Sequence, residues 1–187
     1  QVLLLNDLEA LGHAVPHLLP EETETLQEGE PLEHDTMAIL APGTGLGEAY
    51  LTFDGAAYRV HPTEGGHRDF APTDPIQDGL LSHLREKWGR VSYERVVSGM
   101  AVPDVHEYLT VRGPEKDPDW LISMLRDAED RTPVIVGTAL DRPGEAPLCD
   151  RTLDLFVSAL GAEAGNMALS LLPRGGIYLA GGIPPRI

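Results

Sequence analysis

The sequence predicts an α/β fold in which helices cover a mixed β-sheet, and three observations support this prediction. Short apolar segments between residues 36 and 61 are separated by turn residues, as in an antiparallel meander. Apolar residues at helical spacing recur between residues 74 and 172. A last apolar segment, residues 177–180, follows the helices. This order of elements is typical of a mixed sheet packed against helices.

The first predicted elements are a strand and a helix. Val2–Leu5 is wholly apolar and predicts a strand buried on both faces. The helix that follows is expected to end at Pro16 or Pro20. Its apolar face has spacings of three, four and three residues and consists of Leu8, Leu11, Val15 and Leu18.

The predicted meander has three strands, at Thr36–Ala41, Glu48–Phe53 and Ala57–Val60. The glycine-rich segment Gly43–Gly47 joins the first two strands. Asp54-Gly55 joins the last two, and it predicts a two-residue hairpin because both positions accept positive φ.

Capping residues indicate where the later helices begin. Asp74 is predicted to cap a helix that has Pro75 in its first turn and Gly89 at its end. Ser92 is predicted to cap a short helix that holds Glu94. Further helices are expected at residues 100–109, at 118–128, from 132 onwards and at 148–172.

Composition disfavours several classes of function. The 187 residues include 14 basic and 30 acidic ones, and the resulting net charge of −16 disfavours binding to nucleic acid. No apolar segment approaches the ~18 residues that a membrane helix needs. Cys149 is the only cysteine, which excludes an internal disulfide and a zinc site made of several cysteines. A reducing, cytoplasmic location fits this composition, and no signal peptide is visible.

Acidic residues are concentrated in the first third of the chain. Residues 1–58 contain eleven acidic residues and no Lys or Arg, whereas residues 59–187 have a net charge of −5. The densest part, Glu21–Asp35, contains Pro31 and follows Pro20. We interpret it as a solvated connector between two structural units, and an acidic interaction module is the alternative.

Two candidate sites lie in the first part of the chain. Asn6 and Asp7 follow the first apolar segment, and strand ends are where ligands bind in α/β sheets. A carboxylate there can accept a proton from a hydroxyl, although Asp7 can equally be a plain helix cap. The turn Gly43-Thr44-Gly45-Leu46-Gly47 matches neither the dinucleotide nor the Walker pattern. Its N–H groups and the Thr44 hydroxyl can bind phosphate, and an ordinary tight turn is the alternative.

Two more candidate sites follow. Glu64 and His67 can hydrogen-bond adjacent hydroxyls of a polyol. The alternatives are a solvated loop and a metal site that adds Asp69, which is disfavoured because the HExxH spacing is absent. Gly181 and Gly182 follow the last strand, where they let a ligand approach the backbone or simply form a turn.

Taken in order, the motifs are LLLNDLEA, LAPGTGLGEAYL, PTEGGHRDFAP, VSYERVVSG and GNMALSLLPRGGIYLAGGIPPR. This series closely resembles the bacterial glucokinases of the non-ROK type, ATP-dependent hexose kinases of the actin-like ATPase superfamily. The resemblance extends from residue 1 to residue 187. The ROK sugar kinases match less well, because their cysteine-rich zinc motif cannot be formed from Cys149 alone.

The resemblance implies an actin-like ATPase, ribonuclease H-like fold. Residues 1–33 would be the end of the small domain, with the Asn-Asp pair and the hinge, and residues 34–187 the large domain. Asp7 is implied as the catalytic base for the 6-hydroxyl of the sugar and as a sugar ligand. The other implied sugar ligands are Asn6, Glu64, His67 and Glu94. The implied nucleotide-binding residues are Gly43, Thr44, Gly45, Gly181 and Gly182, with no protein ligand to a metal.

The implied activity is transfer of the γ-phosphoryl group of ATP to the 6-hydroxyl of glucose, the first step of glycolysis. Mg²⁺ would be carried by the nucleotide. A non-catalytic sugar-binding regulator with the same fold is the alternative, and Asp7 beside Asn6 favours the enzyme. The hexose preferred, the choice between ATP and polyphosphate, and the oligomeric state stay open, and a homodimer fits related kinases.

The family pattern also contains parts that these motifs lack. In the family, a first phosphate loop rich in Asp and Gly precedes the ND motif, and a helix and a closing segment follow GGI. We therefore expect the sequence to be a fragment, and we expect these 187 residues alone not to phosphorylate glucose.

Overall fold

The computed structural model describes residues 4–187, and a four-stranded sheet lies at the centre of this part of the chain. The strands are β1 (Met37–Pro42), β2 (Leu46–Phe53), β3 (Tyr58–Thr63) and β4 (Ile177–Leu179). Their order across the sheet is β3-β2-β1-β4. Since β1, β2 and β3 are antiparallel and β4 is parallel to β1, the predicted meander and mixed sheet are confirmed.

The helices are α1 (Asp7–Ala14), α2 (Pro75–Trp88), α3 (Val102–Arg112), α4 (Asp119–Asp127), α5 (Thr132–Asp141) and α6 (Pro147–Leu171). The predicted cap of α2 is confirmed, because Asp74 Oδ1 accepts hydrogen bonds from the N–H groups of Ile76 and Gln77 at 2.7 and 2.9 Å. Gly89 ends this helix with a φ of +74°. None of the helices in residues 4–187 has the length and apolar character that crossing a membrane requires.

The sheet is covered on both faces. Ala38 and Leu40 of β1 belong to the larger core, with residues of α2, α3, α5 and α6. Ile39, between them, belongs to a smaller cluster that contains Leu51 and the apolar face of α1. Alternate residues of β1 therefore face opposite layers, and all three of these side chains are fully buried.

Two predictions, a first strand and a two-residue hairpin turn, were wrong. Leu4 and Leu5 lie in no strand, and Leu4 is 96% exposed, because neither edge of the described sheet pairs with them. Val2 and Leu3, also assigned to this strand, lie outside the described residues. The β2–β3 connection has four residues instead of two, since Phe53 pairs with Tyr58. Asp54 Oδ1 favours this longer turn, because it accepts hydrogen bonds from the N–H groups of residues 56 and 57 at 2.9 and 3.0 Å.

The acidic segment lies at the surface, as expected for a solvated connector. Every residue from 18 to 34 is exposed, and this stretch has little regular structure apart from the 3₁₀ turn Pro20–Glu22. The helix before it nevertheless packs tightly on the sheet. A β-carbon at Gly12 would overlap Val60 of β3, so α1 can approach β3 only with glycine at this position.

Candidate active site

A glycine turn lies at the carboxyl end of β1. The Gly43 N–H donates a hydrogen bond to the Gly45 carbonyl at 2.9 Å. The turn is also bonded to the residues before α3, because the Gly99 N–H donates to the Gly43 carbonyl at 2.8 Å and the Met100 N–H donates to the Thr44 carbonyl at 3.4 Å. The GTGLG turn is therefore held by its own backbone and by a segment distant in sequence.

Glu94 reaches the same turn from the short 3₁₀ helix Tyr93–Arg95. Its Oε2 accepts a hydrogen bond from the Leu46 N–H at 3.0 Å. A β-carbon at Gly45 would overlap this oxygen, so glycine is needed at 45 for close approach. The Ser98 hydroxyl donates to the Glu94 carbonyl at 2.7 Å and helps to hold this segment in place.

His67 lies between two carboxylates. Its Nε2 is 3.6 Å from Glu64 Oε2, and its Nδ1 is 3.7 Å from Glu94 Oε1. The Glu64 side chain is 90% exposed and that of Glu94 is 22% exposed. The structure thus brings together three of the predicted sugar ligands. The two carboxylates accept hydrogen bonds, and the imidazole between them can donate or accept one, which suits neighbouring hydroxyls. Asp69, the third residue of the alternative metal site, instead pairs with Arg90 at 2.6 Å.

An ionic cluster of two buried carboxylates and the half-exposed Arg68 supports the loop that carries Glu64 and His67. Arg68 Nη2 donates to Glu48 Oε2 of β2 at 2.8 Å and also to Glu163 of α6. Arg68 Nε donates to the Gly65 carbonyl at 3.2 Å. Because one guanidinium contacts all three, it fastens this loop to the sheet and to α6.

The two buried carboxylates share that single cation. Burial and the nearby Glu163 carboxylate raise the pKa of Glu48 to about 7, and Arg68 acts in the opposite direction. Glu48 Oε1 is buried and accepts no hydrogen bond from residues 4–187. A β-carbon at Gly65 would overlap Glu48 Oε2, and one at Gly66 would overlap the carbonyl of residue 46. Packing against Glu48 therefore favours glycine at position 65, and packing against the β1–β2 hairpin requires it at position 66.

Asn6 and Asp7 begin α1 beside the β1–β2 hairpin. Asn6 Oδ1 and Asp7 Oδ1 both accept hydrogen bonds from the Leu8 N–H, at 2.9 and 2.8 Å. The Leu8 side chain packs against the hairpin, since a β-carbon at Gly47 would lie 3.2 Å from Leu8 Cδ1. The structure gives both side chains a capping role, and it places Asp7 at an exposed position next to a residue that contacts the hairpin.

Gly181 and Gly182 follow β4, which is parallel to β1. They therefore lie at the same end of the strands as the glycine turn. Gly181 has a φ of +88°, and a β-carbon there would lie 2.8 Å from the Pro42 carbonyl oxygen. The Ile183 N–H donates to that same carbonyl at 3.4 Å. In contrast, a β-carbon at Gly182 or Gly43 would meet nothing within 4 Å. These two glycines therefore border open space.

Sequence reasoning missed several supporting residues. Gly99 was part of a recognised motif but had no assigned role, and Thr132 was only a helix start. The Thr132 hydroxyl donates to the Gly99 carbonyl at 2.7 Å, which connects α5 to the glycine turn. Glu48 and Arg68 were also missed as a pair, because a charged residue in an amphipathic strand predicts no particular partner. The one available signal was the position of Arg68 within the EGGH-x-DFAP motif.

A sequence profile of the glucokinase family matches residues 1–187. The chain belongs to the glucokinase family. A glucokinase from Synechocystis sp. is 41% identical over 199 residues, which cover 100% of this chain and 56% of that protein. The chain thus spans a little over half the length of this curated relative of the family.

Solved structures agree with this family assignment. The crystal structure of glucokinase from an Antarctic psychrotroph has a TM-score of 0.82 at 30% identity, covering 97% of this chain and 53% of that one. A glucokinase from Balamuthia mandrillaris in complex with glucose has a TM-score of 0.68 at 27% identity, covering 80% and 40%. The glucokinase-type α/β fold that the resemblance implied is confirmed.

Proposed function

We propose that the protein containing this chain is a glucokinase that transfers the γ-phosphoryl group of ATP to the 6-hydroxyl of glucose. The observation that carries this proposal is the contact of the Glu64–His67–Glu94 group with the Gly43–Gly45 turn, through Glu94 and Leu46. Hydroxyl-binding and phosphate-binding groups then adjoin at one turn. This suits phosphoryl transfer, which depends mainly on positioning and charge stabilisation.

The sugar would bind to Glu64, His67 and Glu94, with Asn6 and Asp7 on the other side of the hairpin. Carboxylates accept hydrogen bonds from hydroxyls, and an imidazole can donate or accept one. Glu94 is held in advance by the Leu46 N–H, so less conformational entropy is lost when it binds sugar. The similar Balamuthia glucokinase was solved with glucose, which supports this choice of substrate.

Asp7 would be the general base. Its carboxylate would accept the proton of the 6-hydroxyl while that oxygen bonds to the γ-phosphorus and ADP leaves. The hydrogen bond from the Leu8 N–H to Asp7 Oδ1 fixes the orientation of the carboxylate at the start of α1. A positioned base of this kind contributes about 10²–10⁴-fold to a rate.

ATP would bind to Gly43, Thr44 and Gly45 on one side and to Gly181 and Gly182 on the other. The open space beside Gly43 and Gly182 fits a ligand that approaches the backbone closely. These residues offer N–H groups and one hydroxyl but no carboxylate. The nucleotide phosphates and water would therefore hold Mg²⁺, which neutralises phosphate charge during transfer.

We propose that residues 1–33 form the end of a small domain and the hinge, and that residues 34–187 form the large domain. Closure of two such lobes would exclude water from the transferred phosphoryl group. We further propose that the whole protein catalyses the first step of glycolysis in the cytoplasm, as a homodimer. Because the chain covers 56% of a curated relative, we expect the 187 residues alone to be inactive.

The test compares the full-length protein with its Asp7→Asn variant, using glucose, Mg·ATP and a coupled assay for glucose 6-phosphate. We expect kcat to fall at least about 100-fold, because the variant cannot take up the proton. Glucose affinity should fall much less than kcat, since the asparagine oxygen can still accept a hydrogen bond from a sugar hydroxyl.

Glu24→Gln is the matched control, since Glu24 is an exposed acid of the connector and should have no effect. A parent that shows no turnover, but whose melting temperature rises with glucose, would contradict the kinase and support the sugar-binding regulator.

A further inference from the structure

Three residues with metal-binding side chains converge among the helices, and the proposed sugar and nucleotide sites use none of them. They are His106 on α3, Asp117 in the segment before α4, and Cys149 on α6. One ligand atom from each lies within 4.8 Å of the other two. All three are enclosed: Cys149 is fully buried, and the side chains of His106 and Asp117 are 7% and 6% exposed.

Hydrogen bonding alone leaves this cluster incomplete. His106 Nε2 lies 3.3 Å from Asp117 Oδ1 and 3.9 Å from Cys149 Sγ, so one nitrogen faces two partners. That nitrogen carries either a proton or a lone pair, and it can serve only one partner at a time. Asp117 Oδ1 is buried, and because its 3.3 Å contact with His106 Nε2 lacks hydrogen-bond geometry, it accepts no hydrogen bond from any described residue. A buried carboxylate oxygen without a donor is costly, and a cation between the three atoms would satisfy them together.

The separations match tetrahedral coordination of zinc. Bonds of about 2.0–2.2 Å to nitrogen and oxygen and about 2.3 Å to sulfur place a nitrogen and an oxygen ligand about 3.4 Å apart, and a nitrogen and a sulfur ligand about 3.6 Å apart. The observed distances from His106 Nε2, 3.3 Å to Asp117 Oδ1 and 3.9 Å to Cys149 Sγ, lie within a few tenths of an ångström of these values. The ligand atoms of Asp117 and Cys149 lie within 4.8 Å of each other and would move closer together around an ion.

We propose that His106, Asp117 and Cys149 bind a divalent transition-metal ion of the Zn²⁺ type, with the thiol losing its proton on binding. Thiolate, imidazole and carboxylate together favour zinc over Mg²⁺ or Ca²⁺, which prefer oxygen ligands. The three side chains leave one position of a tetrahedral ion for a water molecule.

The ion would attach the segment between α3 and α4 to the two helices beside it. Residues 113–118 connect α3 to α4 without regular structure. The ion pair between Glu115 and Arg151, at 2.6 Å, is an exposed contact of this segment with α6. A metal bound by Asp117 would attach the same segment to α3 and α6 from the interior.

The test uses Co²⁺ as a spectroscopic probe in the full-length protein after treatment with a chelator. We expect one equivalent of Co²⁺ to bind, with visible bands of four-coordinate cobalt and a near-ultraviolet thiolate-to-cobalt charge-transfer band. Zn²⁺ should displace the cobalt, abolish both signals and raise the melting temperature.

Single variants assign the ligands. Cys149→Ser should lose the charge-transfer band, and Asp117→Asn should keep that band while its affinity for Co²⁺ falls about tenfold or more. His13→Gln removes an exposed histidine of α1 and should change nothing. If Cys149→Ser does not fold, the thiolate band of the parent and the Co²⁺ affinity of Asp117→Asn still test the proposal. Absence of the thiolate band in the parent, or equal affinities in parent and Asp117→Asn, would overturn the proposal.

Discussion

The group that we propose binds sugar, named here the sugar-binding cluster, and the glycine edge meet at one hairpin, but they are built differently. The sugar-binding cluster, Glu64, His67 and Glu94, consists of ionisable side chains, and its loop is supported by the half-exposed guanidinium of Arg68, which also pairs with two buried carboxylates. The glycine edge, Gly43, Gly99 and Gly181, has no charged group and is held by main-chain carbonyls. We therefore expect changes of charge to affect stability and ligand binding most in the first region. In the second region, we expect added side-chain volume to have the larger effect.

The difference follows from the ligands expected at each place. Sugar hydroxyls are neutral and directional, so oriented carboxylates and an imidazole suit them. Phosphate is anionic, and acidic side chains would repel it in a chain with a net charge of −16. Backbone N–H groups bind an anion without adding a formal charge to the surface. The N–H groups of Gly43 and Gly99 already bond to carbonyls of the turn. The candidates are therefore the N–H groups of Thr44, Gly45, Gly181 and Gly182.

The largest expected effect is on the support of the sugar-binding cluster. Arg68→Gln leaves the buried carboxylates of Glu48 and Glu163 without their shared cation, so the free energy of unfolding at pH 8 should fall by about 3 kcal/mol in urea denaturation. Arg59→Gln, which breaks the exposed pair with Asp54, should lower the free energy of unfolding far less. Similar losses in the two variants would show that the buried cluster gives no special support.

The second effect depends on pH. Burial and Glu163 raise the pKa of Glu48 to about 7 from its usual 4.5, so between these values the folded state binds more protons than the unfolded state. The contribution of Glu48 to stability therefore falls as the pH rises from about 4.5 to about 7, and it is constant above that.

Glu48→Gln removes this dependence while the volume of the side chain is kept. Relative to the parent, the variant should gain up to about 3 kcal/mol in free energy of unfolding between pH 5 and pH 8. Urea denaturation at the two pH values measures the gain. A difference between parent and variant that does not change with pH would contradict the raised pKa.

The third effect separates the two acids of the sugar-binding cluster. Glu94→Gln keeps an oxygen for the Leu46 N–H but loses the charge, and it should raise the Kd for glucose about 10- to 100-fold. Glu64→Gln should raise it less than about tenfold, because that side chain is 90% exposed and water competes for it. Calorimetric titration of the full-length protein with glucose measures both, and a larger effect at Glu64 would reverse the assignment.

The smallest expected effect belongs to the glycine edge. Gly181→Ala should lower the free energy of unfolding by about 2 kcal/mol, since a φ of +88° strains an L-residue and the added β-carbon meets the Pro42 carbonyl. Gly182→Ala should change stability by less than about 0.5 kcal/mol, because its β-carbon meets nothing.

The Gly182→Ala variant also tests the space beside that glycine. If ATP occupies it, this variant should bind ATP more weakly although its melting temperature is that of the parent. Unchanged ATP affinity in Gly182→Ala would show that the nucleotide does not bind beside this glycine.

Local sequence patterns predicted much of the fold. The Asp74 cap, the three strands of the meander and the long helix before Gly175 all depend on neighbours within a few residues. The beginning of the chain was predicted wrongly, because Leu4 and Leu5 are apolar but have no strand beside them in the described sheet. Apolar character predicts burial only where a partner surface exists.

The residue types of the candidate site were set by the sequence alone: an Asn-Asp pair, a GTGLG turn, an EGGH motif and a final glycine pair. Their arrangement was decided by the tertiary structure, which brings Glu94 to the Leu46 N–H, Gly99 to Gly43 and Arg68 between two buried acids. These contacts join residues far apart in the chain. No local propensity encodes such contacts, because they form only when the sheet and the helices pack together.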